Sequence, residues 1–222
     1  MQQAIASMSM FGTTGLISIP TAYILPDGKI AFGTSYTNEH YGRYSHYSNV
    51  QLAYYVALAY LPFLELNLTA TQYPNFAWSD TYTSAVDRMA SIKLLLLKEK
   101  QYLPSIAIGV LDLYGKAMEY NAQYIVVSKS IALPLTGAVS FHFGYAPNPI
   151  KSDRIDDYSI KGGFAGLEVP FFDAILSIML EYDSQKYNAG LRIIPINDWI
   201  CIDLIMLGLK YLSGNISFSF DL

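Results

Sequence analysis

The sequence predicts an all-β fold, a transmembrane antiparallel up-and-down β-barrel of about twelve strands, and three observations carry that prediction. Apolar and polar residues alternate with period two along most of the chain. Only 14% of the 222 residues are charged, against about 25% in an average soluble domain, while 14% are aromatic. Charge-free runs such as 44–64 and 130–150 contain Pro, Ser, Asn or Gln, which disfavours a membrane helix of about 18 unbroken apolar residues. The closed barrel is then the architecture that satisfies every backbone group in lipid. A soluble β-sandwich or lipocalin-like barrel shows the same period but turns its polar face outward. Here the large apolar side chains share one face, and Ala, Gly, Ser and acids share the other.

Residues 1–28 form a first unit, read as an N-terminal extended segment, and 29–222 form the barrel. "FGTTGLISIPTAYILPDG" looks at first like a glycine-rich phosphate loop. No strand precedes Gly12, however, and Pro20 and Pro26 prevent the helix that would hold a phosphate. The segment is too apolar to float in water and too broken by proline to be a helix. It is therefore expected to plug the lumen, with Gly12 and Gly15 allowing close approach to a wall and an Asp27-Gly28 turn leading into the first strand.

Turn residues then divide the chain into strands at about 29–37, 49–60, 63–72, 86–97, 105–113, 119–129, 134–145, 162–170, 174–182, 187–194, 198–208 and 214–222. In the second, Val50, Leu52, Tyr54, Val56, Leu58 and Tyr60 oppose Asn49, Gln51, Ala53, Tyr55, Ala57 and Ala59. The fourth is less regular, because Arg88 and Lys93 have opposite parity and one of them must reach water near a rim. Connections after the even strands carry Pro62, Pro104, Pro134, Pro170 and Pro195, mostly in tight turns. Those after the odd strands are on average longer and more polar, which predicts two rims of different chemistry and places both termini on the short-turn, periplasmic side.

The hairpin "AILSIMLEYDSQKYNAGLRII", residues 174–194, sets the orientation of the wall. Leu176, Ile178 and Leu180 share one face with Leu191 across the turn, whereas Glu181 and Arg192 lie on the other. Facing Arg192 to lipid at mid-membrane would cost about 2–4 kcal/mol. Inside a barrel it can pair with Glu181 or with the other inward acids Glu65, Glu168 and Asp203. These five are the lumen-facing polar residues that parity predicts, and Leu66, Leu180 and Leu191 should face lipid.

Other chemistry finds little support. The net charge of −4 offers no basic stripe for nucleic acid. Cys201 is the single cysteine, which excludes an intramolecular disulfide and a thiolate metal cluster. His40 and His46 share one tyrosine-rich loop without zinc spacing, and His142 has Ser140 two residues away on one face, a pair short of an oxyanion hole. No catalytic residue, metal or cofactor is expected. "MQQAIASMSMFGTTG" lacks a cleavable signal, so an outer-membrane destination would need a leader already removed. Aromatic residues gather near strand ends, namely Tyr36, Tyr60, Phe63, Tyr73, Tyr114, Tyr120, Tyr145, Phe171, Phe172, Tyr182, Tyr187 and Tyr211, as interfacial girdles do.

"GTTGLISIPTAYILPDG", "LPSIAIGVLDLYG", "YIVVSK", "FAGLEV" and "LEYDSQKYNAG" occur in an order that resembles the YjbH-like family of outer-membrane β-barrels. The likeness falls on Gly12, Gly15, Pro20, Asp27 and Gly28, on Pro104, Gly109, Asp112 and Gly115, on Ser128, Lys129 and Gly166, and on Glu181, Tyr182 and Asp183. The resemblance implies a Gram-negative outer-membrane protein associated with exopolysaccharide production and export, and it brings no catalytic residues. Outer-membrane lipid, polysaccharide and other envelope proteins are the partners to expect. The alternatives are a scaffold barrel that anchors a larger machine and, more remotely, an outer-membrane hydrolase.

Overall fold

The computed structural model describes residues 7–41, 43–44, 47–74, 85–113, 120–133, 137–147, 160–196 and 199–222. His46, Tyr114, Gly115, Pro134 and the connections 75–84 and 148–159 lie outside the described residues. The strands are β1 (Lys29–Thr37), β2 (Arg43–Tyr44), β3 (Tyr47–Ser48), β4 (Gln51–Leu61), β5 (Leu64–Tyr73), β6 (Ala85–Leu97), β7 (Ser105–Leu111), β8 (Ala122–Leu133), β9 (Gly137–Ala146), β10 (Gly162–Phe171), β11 (Leu176–Tyr182), β12 (Tyr187–Ile196), β13 (Ile200–Leu207) and β14 (Tyr211–Asp221). Twelve of them close into one antiparallel barrel in the order β1-β14-β13-β12-β11-β10-β9-β8-β7-β6-β5-β4. Among the described residues β2 and β3 pair only with each other, inside the connection from β1 to β4.

Each strand alternates because each has two different environments. In β4 the residues Gln51, Ala53, Tyr55, Ala57 and Ala59 are buried, and Tyr54 and Tyr60 between them are exposed. Leu66, Leu180 and Leu191 on the outer face are 43%, 48% and 41% exposed. The apolar core sits inside the ring, and the segment before β1 supplies much of it. Leu16, Ile17 and Ile19 pack with Met179, Phe164, Tyr124 and Ile205, while Met8 and Leu25 pack with Tyr55 and the alanines of β1 and β4. Large inward rings lie over glycines of neighbouring strands: a Cβ on Gly33 would meet Tyr55, one on Gly109 Tyr124, and one on Gly144 Phe164. That close approach fills the interior without breaking the ladders.

The two ends of the barrel differ. The turn end joins β4 to β5, β6 to β7, β8 to β9, β10 to β11 and β12 to β13; the loop end carries the remaining connections. Two of the expected turn prolines are strand residues instead. Pro170 still pairs with Ser177 inside β10, and Pro195 sits where the β12–β13 register shifts between Ile193 and Ile196. A proline cannot donate to the ladder, and at Pro195 the register shift accommodates it.

Candidate functional site

The site is the contact between the inner wall and residues 7–28. This segment folds first on itself. The Ser9 N–H donates to the Thr13 carbonyl at 2.8 Å, Gly12 N to Ser9 O at 3.0 Å, Met10 N to Ile17 O at 2.9 Å and Leu16 N to Ile19 O at 3.0 Å. Isolated bridges pair Met8 with Thr14 and Gly15 with Pro20. The Asp27-Gly28 turn forms, with Gly28 at φ +75 and its N–H on the Ala59 carbonyl at 2.8 Å.

Gly12 and Gly15 are tight for different reasons. A Cβ on Gly12 would lie 2.4 Å from Tyr55 on the wall, and its φ of +77 is one that L side chains rarely adopt. A Cβ on Gly15 would instead lie 2.5 Å from the carbonyl oxygen of Ile19, within the segment. Only Gly12 serves approach to the barrel.

Backbone groups that the segment leaves open are taken by side chains of the wall. Two carboxylate and cation couples dominate. Glu65 on β5 accepts from Thr14 N at 2.8 Å, from the Thr14 hydroxyl at 2.7 Å and from Leu25 N at 3.1 Å. Lys93, its direct cross-strand partner on β6, lies 3.8 Å away and donates to the Thr14 and Tyr23 carbonyls. Farther round the ring, Glu181 on β11 accepts from the N–H groups of Ile17 at 2.9 Å, Ser18 at 3.0 Å and Ile19 at 3.2 Å, and from the Ser18 hydroxyl. Arg192 on β12 donates to the Leu16 carbonyl at 2.8 Å. Each couple therefore reads both polarities of the backbone, the acid taking N–H and the cation taking C=O.

Parity puts Arg192 among several acids, and the register selects two. Asp203 stands directly opposite it and accepts from Nε at 2.9 Å, and Glu168 lies 3.4 Å from Nη1. Glu181 faces Asn188, not Arg192. Glu65, Glu181, Arg192 and Asp203 are all buried, whereas the Glu168 side chain keeps 19% exposure. Lys93 is the inward cation of β6 at 1% exposure, and Arg88 faces out.

Neutral groups complete the contact. Ser35 donates to Met10 O at 2.8 Å, Thr69 to Phe11 O at 3.0 Å, Asn215 to Met8 O at 3.2 Å, and Asn67 to the Gly12 carbonyl. Ser128 accepts from Ala22 N at 2.8 Å and shares a 2.8 Å bond with His142 Nδ1. Ser140 does not meet His142; it bonds Ser130 at 2.8 Å. Near the turn end the Tyr23 hydroxyl donates to Glu99 at 2.8 Å, and burial holds that phenol well above its ordinary value, so it stays a donor. Beside it a cavity of about 980 Å³ is lined by Tyr23, Leu25, Glu99, Lys129, Ile131 and Cys201, among others.

At the loop end the Tyr41 hydroxyl donates to Asp183, which also accepts from Asn188 at 3.0 Å. Burial first, and then the Asp183 charge, keep the Tyr41 phenol raised and protonated. Among the described residues no group of three His, Cys, Asp or Glu could hold a metal ion.

Parity alone does not single out Lys93, Ser128, Asn188 or Asn215. They are ordinary inward polar residues until the register is known. Tyr41 carries no periodic signal at all.

The family model described as "Exopolysaccharide biosynthesis protein YbjH" matches residues 7–215. The chain is also 30% identical over 215 residues to the "Uncharacterized lipoprotein YjbH" of Escherichia coli (strain K12), a match that covers 82% of this chain and 28% of that relative's length. The chain belongs to the YjbH family.

Proposed function

We propose that this member of the YjbH family sits in the outer membrane of a Gram-negative bacterium, both termini periplasmic, as the barrel of an exopolysaccharide-related export or surface-assembly apparatus. It acts without catalysing a reaction. The observation that carries this reading is the opposite chemistry of the two faces of one wall. Leu68, Phe143 and Leu204 are exposed on the outside, while Glu65, Lys93, Arg192 and Asp203 are 1% exposed on the inside. An exposed apolar surface of that extent suits lipid. Exposed aromatics support the placement, with Tyr60, Phe63 and Trp199 toward the turn end and Tyr36, Tyr145 and Tyr187 toward the loop end; Tyr73 and Tyr120, expected among them, are instead buried inside, where the Tyr120 hydroxyl donates to Gln51. On this reading residues 7–28 are a plug, and export requires their displacement.

A second reading, a scaffold barrel that anchors a periplasmic or surface machine, is favoured by the same filled interior. Fractionation and gels test the shared part. The chain should sediment with outer membrane, give a β-type circular dichroism spectrum and run differently on SDS gels before and after boiling. Solubility without detergent or a helical spectrum overturns it. Loss of surface exopolysaccharide on deletion supports the assignment to that apparatus, and unchanged exopolysaccharide removes it. Conductance of the barrel after displacement of the segment separates exporter from scaffold.

A further inference from the structure

The Glu181 grip continues through side chains of the wall to the loop-end rim, whereas the Glu65 grip reaches the turn end through Tyr23 of the segment itself, whose hydroxyl meets Glu99. Asn188 donates to Glu181 Oε1 and to Asp183 Oδ2, both at 3.0 Å. Asp183 Oδ1 accepts from the N–H groups of Gln185 at 3.0 Å and Lys186 at 2.8 Å, which shapes the turn between β11 and β12. Tyr41, arriving from the β1 side of the loop end, donates to Asp183 and lies under the Lys186 ammonium at 4.4 Å. Only a small space of about 40 Å³ separates this rim from the segment, bounded by Met10, Phe11, Ser18, Tyr41 and Asp183 among others. That is room for a few waters.

We infer that the chain Tyr41–Asp183–Asn188–Glu181 is a latch coupling the loop-end rim to the turn at residues 16–19, so that taking Tyr41 from Asp183 loosens the tip of the segment. This rests on the plug reading above and names its regulation. Two features let this grip release. Arg192 keeps Asp203 and Glu168 whether or not Glu181 holds the turn, so release strands no buried cation. The described segment before Asp27 carries no charged side chain, so its departure leaves Glu181 to water instead of separating an ion pair. The Lys93–Glu65 couple also outlasts release, but both legs of the segment hang on it, so that grip must free Thr14 and Leu25 together.

The test uses the full chain, folded in detergent micelles, with Thr13→Cys as a reporter in a Cys201→Ser background and a membrane-impermeant maleimide as probe. Thr13 is buried, so labelling reports opening. The parent should label slowly. Tyr41→Phe should label about tenfold faster, and Glu181→Gln faster still. Tyr102→Phe, which removes a 3.3 Å bond from Gln101 at the exposed turn end, far from the latch and the segment, should match the parent. The heat-modifiable gel band checks folding of each variant, and Tyr41→Phe decides alone if Glu181→Gln fails to fold. Equal rates for Tyr41→Phe and Tyr102→Phe overturn the latch while leaving the plug. Fast labelling of the parent overturns both.

Discussion

Two grips hold the same segment, and their surroundings make them unlike. At β5 and β6 a lysine and a glutamate oppose each other and divide the backbone of Thr14 between them. At β11 and β12 the glutamate takes three consecutive N–H groups with no cation beside it, and the arginine is held by two other acids. The first grip is a closed ion pair whose members depend on each other. In the second, the acid and the cation have been separated, so that one can let go without the other. What a buried charge does for a fold depends less on its burial than on how many partners remain when one is lost.

The largest expected effect is from Arg192→Met, which leaves Asp203 and Glu168 close together without their cation. Its cost should be at the top of the about 3–5 kcal/mol range for a broken buried pair, read as a lowered urea midpoint of the folded gel band. Lys93→Met should follow within that range, because Glu65 loses its cation but retains Thr14 and Leu25 as donors. Glu181→Gln should cost less, about 1–3 kcal/mol, since a neutral amide still accepts but no longer attracts three N–H dipoles. A midpoint for Glu181→Gln below that of Lys93→Met would break the contrast. The smallest effect is the sharpest test. A double-mutant cycle between Glu65 and Lys93 should give a coupling of about 1–3 kcal/mol, and one between Glu181 and Arg192 should give about zero, within the error of additivity.

Most of the barrel is legible in the sequence because alternation is a local signal. The expected strands agree with the observed ones to within four residues, the usual uncertainty at element ends. The shifts have local causes. The strand expected at 174 starts at Leu176 because Phe172, Asp173 and Ala174 all take positive φ, and the one expected to reach 113 stops at Leu111 because Asp112 takes φ 50. The short β2–β3 ladder has no alternation to betray it. Partner identity is a different matter, since it depends on register. His142 meets Ser128 across the β8–β9 ladder, not Ser140 along its own strand, because a cross-strand neighbour is nearer than a residue two positions away. The same rule gives Arg192 to Asp203 and leaves Glu181 free for the segment. No pattern within a single strand carries that information.

The seam between β1 and β14 pairs Lys29 with Asp221 and Tyr36 with Gly214, contacts between nearly opposite ends of the described chain. Such a pairing carries the greatest loop-closure entropy of any in the ring, so it belongs at the end of assembly. Until it forms, the wall is an open, curling sheet. Ser35, Glu65, Asn67 and Lys93 lie on strands close in sequence to residues 7–28 and can gather the segment early, by short-range contacts. Glu181 and Arg192 reach it only when the far side swings round. The order of folding thus runs from the first grip to the second, and the ring closes around a segment already laid sideways onto its wall, with no need to thread it through a finished pore.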